Sequence, residues 1–359
     1  MGRVKDYLLQ SEGELSPPFA FVALDTRGNG GPLWSLAYTA FGIVRIWIEA
    51  LLGRVALVHV NMGDRSSIFR KGMIIGMVRL VGIPAVLHLH AAELIEHYAA
   101  GGGLLRWFIR LPFRWATCCI VIGNLWRDWL VDELRIPSGK IEVVYNGVLV
   151  PTFGTASGVE SETGGPIRLL FLGNMIERKG LSDLIHAVAL LPRGGSGWHL
   201  TIAGGGDERL YRALADELGV AQEIDFVGWV DRQKATELLN LADIIVLPSY
   251  NEGLPLVILE ALGCGKPVVC TPIGSIPEVL QDGETAIFVT PGDRQGIADA
   301  LSRLIEQPDL RKVLSAKGLR LFGEMFEHKI FVANIFSAYR KHCGIDAFPR
   351  QHSLSDPPP

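Results

Sequence analysis

Cysteine is scarce. Cys118, Cys119, Cys264, Cys270 and Cys343 are the only five in 359 residues, and their spacing fits neither a metal cluster nor a disulfide framework. A reduced, cytoplasmic setting is the expectation that follows. Residues 1–18 lack the apolar centre and small-residue cleavage site of a secretory signal. A clean membrane-spanning run is also missing. The most hydrophobic long window, residues 33–52, is broken by Arg45 and Glu49 and reads as a buried or interfacial helix. Residues 200–206 run from a strand into glycines but lack the full G-x-G-x-x-G spacing, which argues against a dinucleotide site. No Asp-x-Asp pair offers two carboxylates to a divalent cation, so no metal and no other cofactor is expected. With a net charge of −4, no nucleic-acid partner is expected either.

What the chain does have is 48% apolar content, enough for substantial cores at a length that favours two domains. Apolar strands alternate with helical patterns and glycine loops, which points to an α/β class. Residues 1–150 carry 15 Lys+Arg against 12 Asp+Glu, and the remainder 19 against 26, so the first half is basic and the second acidic.

One stretch, residues 248–269, carries the chemistry. A buried-strand-like run (242–247) stops at Pro248, an acidic loop follows, and an apolar helix is expected from Pro255 to the glycines Gly263 and Gly265. Free amides and the helix dipole at such a start attract phosphate. Glu252 and Glu260 bracket the same turn, and an ionised carboxylate only accepts hydrogen bonds, so the pair suits hydroxyl donors. Phosphate and polyol together describe a nucleotide sugar. A second strand–loop–helix begins at residue 167, where Gly173 opens a loop and Arg178 and Lys179 stand at the mouth of the next helix as a diphosphate clamp.

In the first half, residues 19–24 read as a first strand, with a glycine loop containing Gly30 and Gly31 before a helix from residue 32. Residues 55–60 read as a second strand, 71–81 as a helix, and 84–90 as a third strand with His88 and His90 on one face. Metal binding by that histidine pair is a rival reading that lacks an evident third ligand. Arg106, Arg110 and Arg114 alternate with Trp107, Phe108, Phe113 and Trp115, the composition of a helix in a membrane interface, although Pro112 is expected to interrupt it. The alternative is an amphipathic helix packed on its own sheet. Residues 141–148 read as a further strand, 151–166 as the interdomain linker, and 346–359 as a disordered tail.

The residues from Pro248 to Val269 resemble the Glu-seven-residues-Glu signature of retaining glycosyltransferases of the GT-B fold, in the large family four that includes bacterial envelope and exopolysaccharide mannosyl- and glucosyltransferases. The flanking serine, Gly-Leu-Pro-Leu and Gly-Lys-Pro-Val-Val agree with it. The resemblance covers roughly residues 19–343, closely after Ile167 and loosely before. It implies two Rossmann-like domains facing across a cleft: an acceptor-binding domain over 1–155, a nucleotide-sugar-binding domain over 156–324, a helix at 325–343 crossing back, and a tail at 344–359.

The activity implied is retaining, metal-independent transfer of a hexose from a UDP- or GDP-sugar to an acceptor hydroxyl, with a lipid-linked saccharide as the expected acceptor. Glu252 would meet the transferred sugar and Glu260 the ribose. Gly173, Arg178, Lys179, Gly253, Leu254 and Pro255 would surround the diphosphate, while His90, Gly30 and Gly31 would position the sugar. The family's arginine after the first glycine is Asn174 here, which leaves the phosphate contact to Arg178 and Lys179. A cytoplasmic enzyme peripheral on an anionic membrane through residues 106–115 is expected. A glycoside hydrolase, a sugar-nucleotide epimerase of the same fold and a catalytically silent subunit are the alternatives.

Overall fold

The computed structural model describes residues 7, 8, 15, 16, 20–26, 31–63, 66–91, 93–149, 165–192, 197–345 and 348–349. The chain divides into two compact units, residues 1–145 with 328–359, and residues 146–327. Residues 151–164 of the expected linker, Gly30, and residues 346, 347 and 350–359 of the expected tail lie outside the described residues. Within the tail expected to be disordered, Phe348–Pro349 instead pairs as a short antiparallel strand with Leu15–Ser16.

The first unit holds a parallel four-stranded sheet in sequential order: β1 (Val58–Met62), β2 (Ala85–Leu89), β3 (Cys118–Val121) and β4 (Ile141–Val143). β2 and β3 are buried at every position, as a parallel sheet covered on both faces requires. The expected strand at residues 19–24 does not form: Phe19 lies outside the described residues, and residues 20–24 carry no strand. The run is apolar, but without a ladder partner its backbone gains nothing from extension, and Val22 is left 65% exposed. The second strand sits later than its apolar run suggested. Its ladder begins where the Val58 amide meets the Pro84 carbonyl at 2.9 Å and runs to Met62. The strand expected over 141–148 ends at Val143.

Pro112 does not interrupt its helix, which runs over Gly103–Trp115. The compensation comes from the helix Ser66–Leu80. A Cβ on Gly72 would lie 2.5 Å from Pro112 Cγ, and one on Gly76 would lie 3.0 Å from Trp115 Cζ3. Two small residues one turn apart form a notch that takes the proline ring, and this close packing offsets the hydrogen bond that proline cannot donate.

The second unit holds a fully parallel six-stranded sheet. Its strands are β5 (Ile167–Leu172), β6 (Trp198–Ala203), β7 (Ile224–Gly228), β8 (Ile244–Leu247), β9 (Val268–Cys270) and β10 (Ile287–Phe288), in the order β10-β9-β8-β5-β6-β7. The first strand, β5, is central, and the chain winds one way through β6 and β7, then the other way through β8 to β10. Such a doubly wound sheet opens a crevice beyond the carboxyl ends of the two strands where the winding reverses, here β5 and β8. The loops leaving those strands are the two that carry the cations and the carboxylates.

Candidate active site

The loop after β5 contains a 3-10 turn, Glu177–Lys179, closed by Gly180 at φ +70° before the helix Leu181–Ala189. A Cβ on Gly180 would lie 2.1 Å from the Pro248 carbonyl oxygen, so only glycine lets this turn abut the end of β8. The contact is reinforced by the Tyr250 amide, which donates to the Arg178 carbonyl at 2.8 Å. The two loops are therefore one structure, joined backbone to backbone at the crevice.

Their side chains meet as well. The Lys179 ammonium donates to Glu252 Oε1, Ser249 Oγ donates to the same oxygen at 3.0 Å, and an Arg178 guanidinium nitrogen lies 4.0 Å from Oε2. Arg178 also donates to the Asn251 carbonyl. The Glu252 side chain is only 9% exposed and that of Lys179 14%. Two cations held against a carboxylate and a serine make a site where anionic and hydroxyl groups can both be bound. Ser249 was missed by sequence reasoning in this role, although its place three residues before Glu252 was the available signal.

Downstream, the loop is fastened from a third side. Gly274 at φ +56° would place a Cβ 2.0 Å from the Glu252 carbonyl oxygen, and the Ser275 amide donates to the Gly253 carbonyl at 2.8 Å. The Leu254 carbonyl accepts from Asn146 Nδ2 at 3.2 Å. Pro255 is the residue before the helix, whose span is Leu256–Gly263, so the helix begins one residue later than expected. The proline ψ of 128° is extended and sets the angle at which the chain enters the helix. Glu260 lies on that helix, half-buried, one turn before its end.

Gly173 stands at the end of β5, its amide donating to the Ala203 carbonyl at 2.9 Å. Next to it the β6 loop must be glycine: Gly204 at φ +154° would drive a Cβ to 1.8 Å from the Gly173 carbonyl oxygen. Trp229, 76% exposed after β7, flanks Gly205 on the same sheet edge.

In the first unit, His90 follows β2 directly. His90 Nε2 and Asn61 Oδ1 are 3.0 Å apart, so His90 donates from Nε2 and its Nδ1 is left as an acceptor. His88, fully buried, stacks on it with ring centroids 4.0 Å apart and bonds His59 at 3.2 Å, while His59 bonds the Tyr339 hydroxyl at 2.7 Å. Burial holds all three rings neutral, pushing His59 down to about 4, His90 to about 3 and His88 well below the usual range. Among the described residues no group of three or more His, Cys, Asp or Glu is arranged to hold a metal ion. Gly31 caps the helix Pro32–Leu51, and a Cβ there would meet nothing within 4 Å among the described residues. Asn61, His59 and Tyr339 had no local signal in the sequence, because their partners are 29 to 280 residues away.

The five thiols offer no nucleophile. Burial raises each, Cys119 to about 12 and Cys264 and Cys343 to about 11, with Cys118 and Cys270 higher still.

Residues 155–320 match the family model described as glycosyl transferases group 1, and residues 7–147 match a glycosyl transferase 4-like domain. The chain belongs to the GT-B, family-four-like glycosyltransferases. A glycogen synthase of Mycobacterium tuberculosis is 31% identical over 246 residues, 65% of this chain and 57% of that protein. A phosphatidyl-myo-inositol mannosyltransferase of Mycobacterium leprae is 32% identical over 238 residues, 66% of this chain and 61% of that protein. This glycosyltransferase-family chain thus spans about three fifths of the length of either relative. Among solved structures, Anabaena HepE in complex with UDP and glucose has the same fold, with a TM-score of 0.69 at 19% identity, covering 88% of this chain and 84% of that one.

Proposed function

We propose that this glycosyltransferase-family chain is a retaining hexosyltransferase that takes its sugar from a nucleotide diphosphate donor. The observation that carries the reading is the joining of the Lys179 ammonium to the Glu252 carboxylate at the winding switch of the second sheet. Before donor binds, each charge is neutralised by the other. A diphosphate would take over Arg178 and Lys179, and Glu252 would then accept hydrogen bonds from sugar hydroxyls. As the sugar–phosphate bond breaks, negative charge grows on the diphosphate, where the two cations and the amides around Gly253 and Leu254 are held ready for it.

Glu260 binds the ribose hydroxyls in this reading, Gly173 and Pro255 shape the walls, and Gly31 with the Nδ1 of His90 holds the sugar. The fixed cations do the work a divalent ion would otherwise do, so none is called for. A UDP donor and a lipid acceptor have support in the relatives' names, one solved with UDP and one called a phosphatidyl-myo-inositol mannosyltransferase. The acceptor proposed is a lipid-linked saccharide at the cytoplasmic face of a membrane, which the protein meets through residues 106–115.

The test is incubation with UDP- and GDP-hexoses and lipid-linked acceptors in chelator-containing buffer, with the product anomer read by NMR. Nucleotide release that requires acceptor, with retained configuration, is the expected result. A C2-epimerised donor would instead establish an epimerase, and nucleotide binding without product a silent subunit.

A further inference from the structure

The first unit leaves an unusual amount of apolar surface uncovered. Three helices, Pro32–Leu51, Ser66–Leu80 and Gly103–Trp115, form one layer on its sheet. Trp47 Nε1 donates to the Met77 carbonyl at 3.1 Å, and the Phe69 and Phe108 rings meet edge to face at 6.3 Å. On the first helix Trp34, Phe41, Ile48 and Leu51 recur along one side, with Phe41 67% and Leu51 85% exposed. Phe69, Met73 and Leu80 on the second helix and Trp107 on the third are exposed too. A patch spanning three helices is far beyond the scattered apolar residues normal on a protein surface.

Its charge says what covers it. Of the seven cations on the three helices, Arg45, Arg79, Arg106 and Arg114 are exposed, and the one acid, Glu49, is half-buried and paired with Arg54 at 3.6 Å. Two copies meeting through a two-fold axis would set this cationic layer against itself. An anionic lipid surface complements both its apolar side chains and its charge.

Within residues 106–115, Arg106 and Arg110 are held against the protein and are not the inserted groups. Arg106 is tied to the Tyr98 and Ala99 carbonyls at 3.1 and 2.6 Å, and Arg110 to the Tyr98 hydroxyl and the Glu133 carbonyl at 3.0 and 2.8 Å. On the same layer a groove of about 370 Å³ is lined by Met73, Gly76, Met77, Arg79, Leu80 and Trp115. A mostly hydrocarbon lining with one arginine, Arg79, fits an acyl chain whose headgroup is anionic.

We infer that this three-helix face docks on an anionic bilayer, the helix Pro32–Leu51 lying in the interface and the groove beside Trp115 taking a lipid chain. The inference deepens the membrane contact proposed above and does not rest on the donor assignment. It is tested by vesicle flotation of the full chain, on phosphatidylcholine alone and with about a third phosphatidylglycerol. The wild type should float on the anionic vesicles and much less on the neutral ones. Trp34→Ser, Phe41→Ser and Ile48→Ser together should reduce the bound fraction at least about tenfold, since exposed anchors set insertion; transfer to a soluble acceptor analogue should be unchanged. Flotation of that variant at the wild-type level, or no flotation of the wild type, overturns the proposal. Lipid-free self-association of the wild type that the variant abolishes overturns it in favour of a second copy. A failed donor reading would show in the transfer assay and leave flotation intact.

Discussion

Replacing Lys179 by Met leaves Glu252, whose side chain is 9% exposed, with Ser249 as its bonded partner and the Arg178 guanidinium 4.0 Å from its far oxygen. Breaking one side of a buried pair costs about 3–5 kcal/mol, and the partial exposure of Lys179 together with the remaining Ser249 bond places this case near the lower end, about 3 kcal/mol. For a unit of this size that is about 6–12 °C in melting temperature. Glu252→Gln should cost less, because Lys179 at 14% exposure can turn toward water. The double variant removes both charges and should recover about 2 kcal/mol of the summed cost, the coupling expected of residues in direct contact. Urea melts of the wild type, both single variants and the double variant measure that coupling. Costs that simply add would refute the view that the two loops are locked by this pair. Transfer should stay lost in the double variant although its stability returns.

Three further outcomes follow from the geometry. The folded pKa of His59, about 4, and of His90, about 3, lie below the unfolded value near 6.5, so the unfolded chain takes up protons first. The His59 part of this stabilisation is complete above pH about 6.5, is lost as pH falls toward about 4 and amounts to about 3 kcal/mol; urea midpoints at neutral and acid pH should show a drop that His59→Gln reduces, His88 and His90 keeping the rest. Gly204→Ala should destabilise by more than about 2 kcal/mol, because its Cβ would meet the Gly173 carbonyl oxygen at 1.8 Å, whereas Gly283→Ala, at φ +69° in open space, should cost about 1 kcal/mol in thermal melts. Trp229→Ala should leave the fold unchanged at 76% exposure yet weaken nucleotide binding roughly tenfold by calorimetry, about the worth of one base–aromatic stack.

Much of this architecture could be read from local patterns. Apolar-rich runs ending at a glycine marked β5 and β6, and a fully apolar run ending at Pro248 marked β8, which is buried at every position and so has no polar side to alternate with. Lys179 and Glu252 were both recognisable as site residues, but their pairing was not, since they lie 73 residues apart and meet only when β8 adds beside β5. The same distance problem hid the notch at Gly72, forty positions before the proline it receives, and so Pro112 read as a helix breaker. Residues 20–24 misled in the opposite sense, for their composition suits a strand but no neighbouring strand pairs with them among the described residues. The exposed face of the helix Pro32–Leu51 was half legible, as a hydrophobic window that falls short of a span; which side of it would stay uncovered depended on the helix Ser66–Leu80 packing on the other.

The central claim is that the joined loops at the winding switch of the second sheet bind and transfer a sugar, with Glu252 and Glu260 in separate roles. Parallel measurement of sugar transfer and nucleotide affinity for Glu252→Ala and Glu260→Ala tests it most directly. The expected result is that Glu252→Ala abolishes transfer and keeps nucleotide affinity near the wild type, while Glu260→Ala weakens nucleotide affinity first. Normal transfer by both variants would contradict the account.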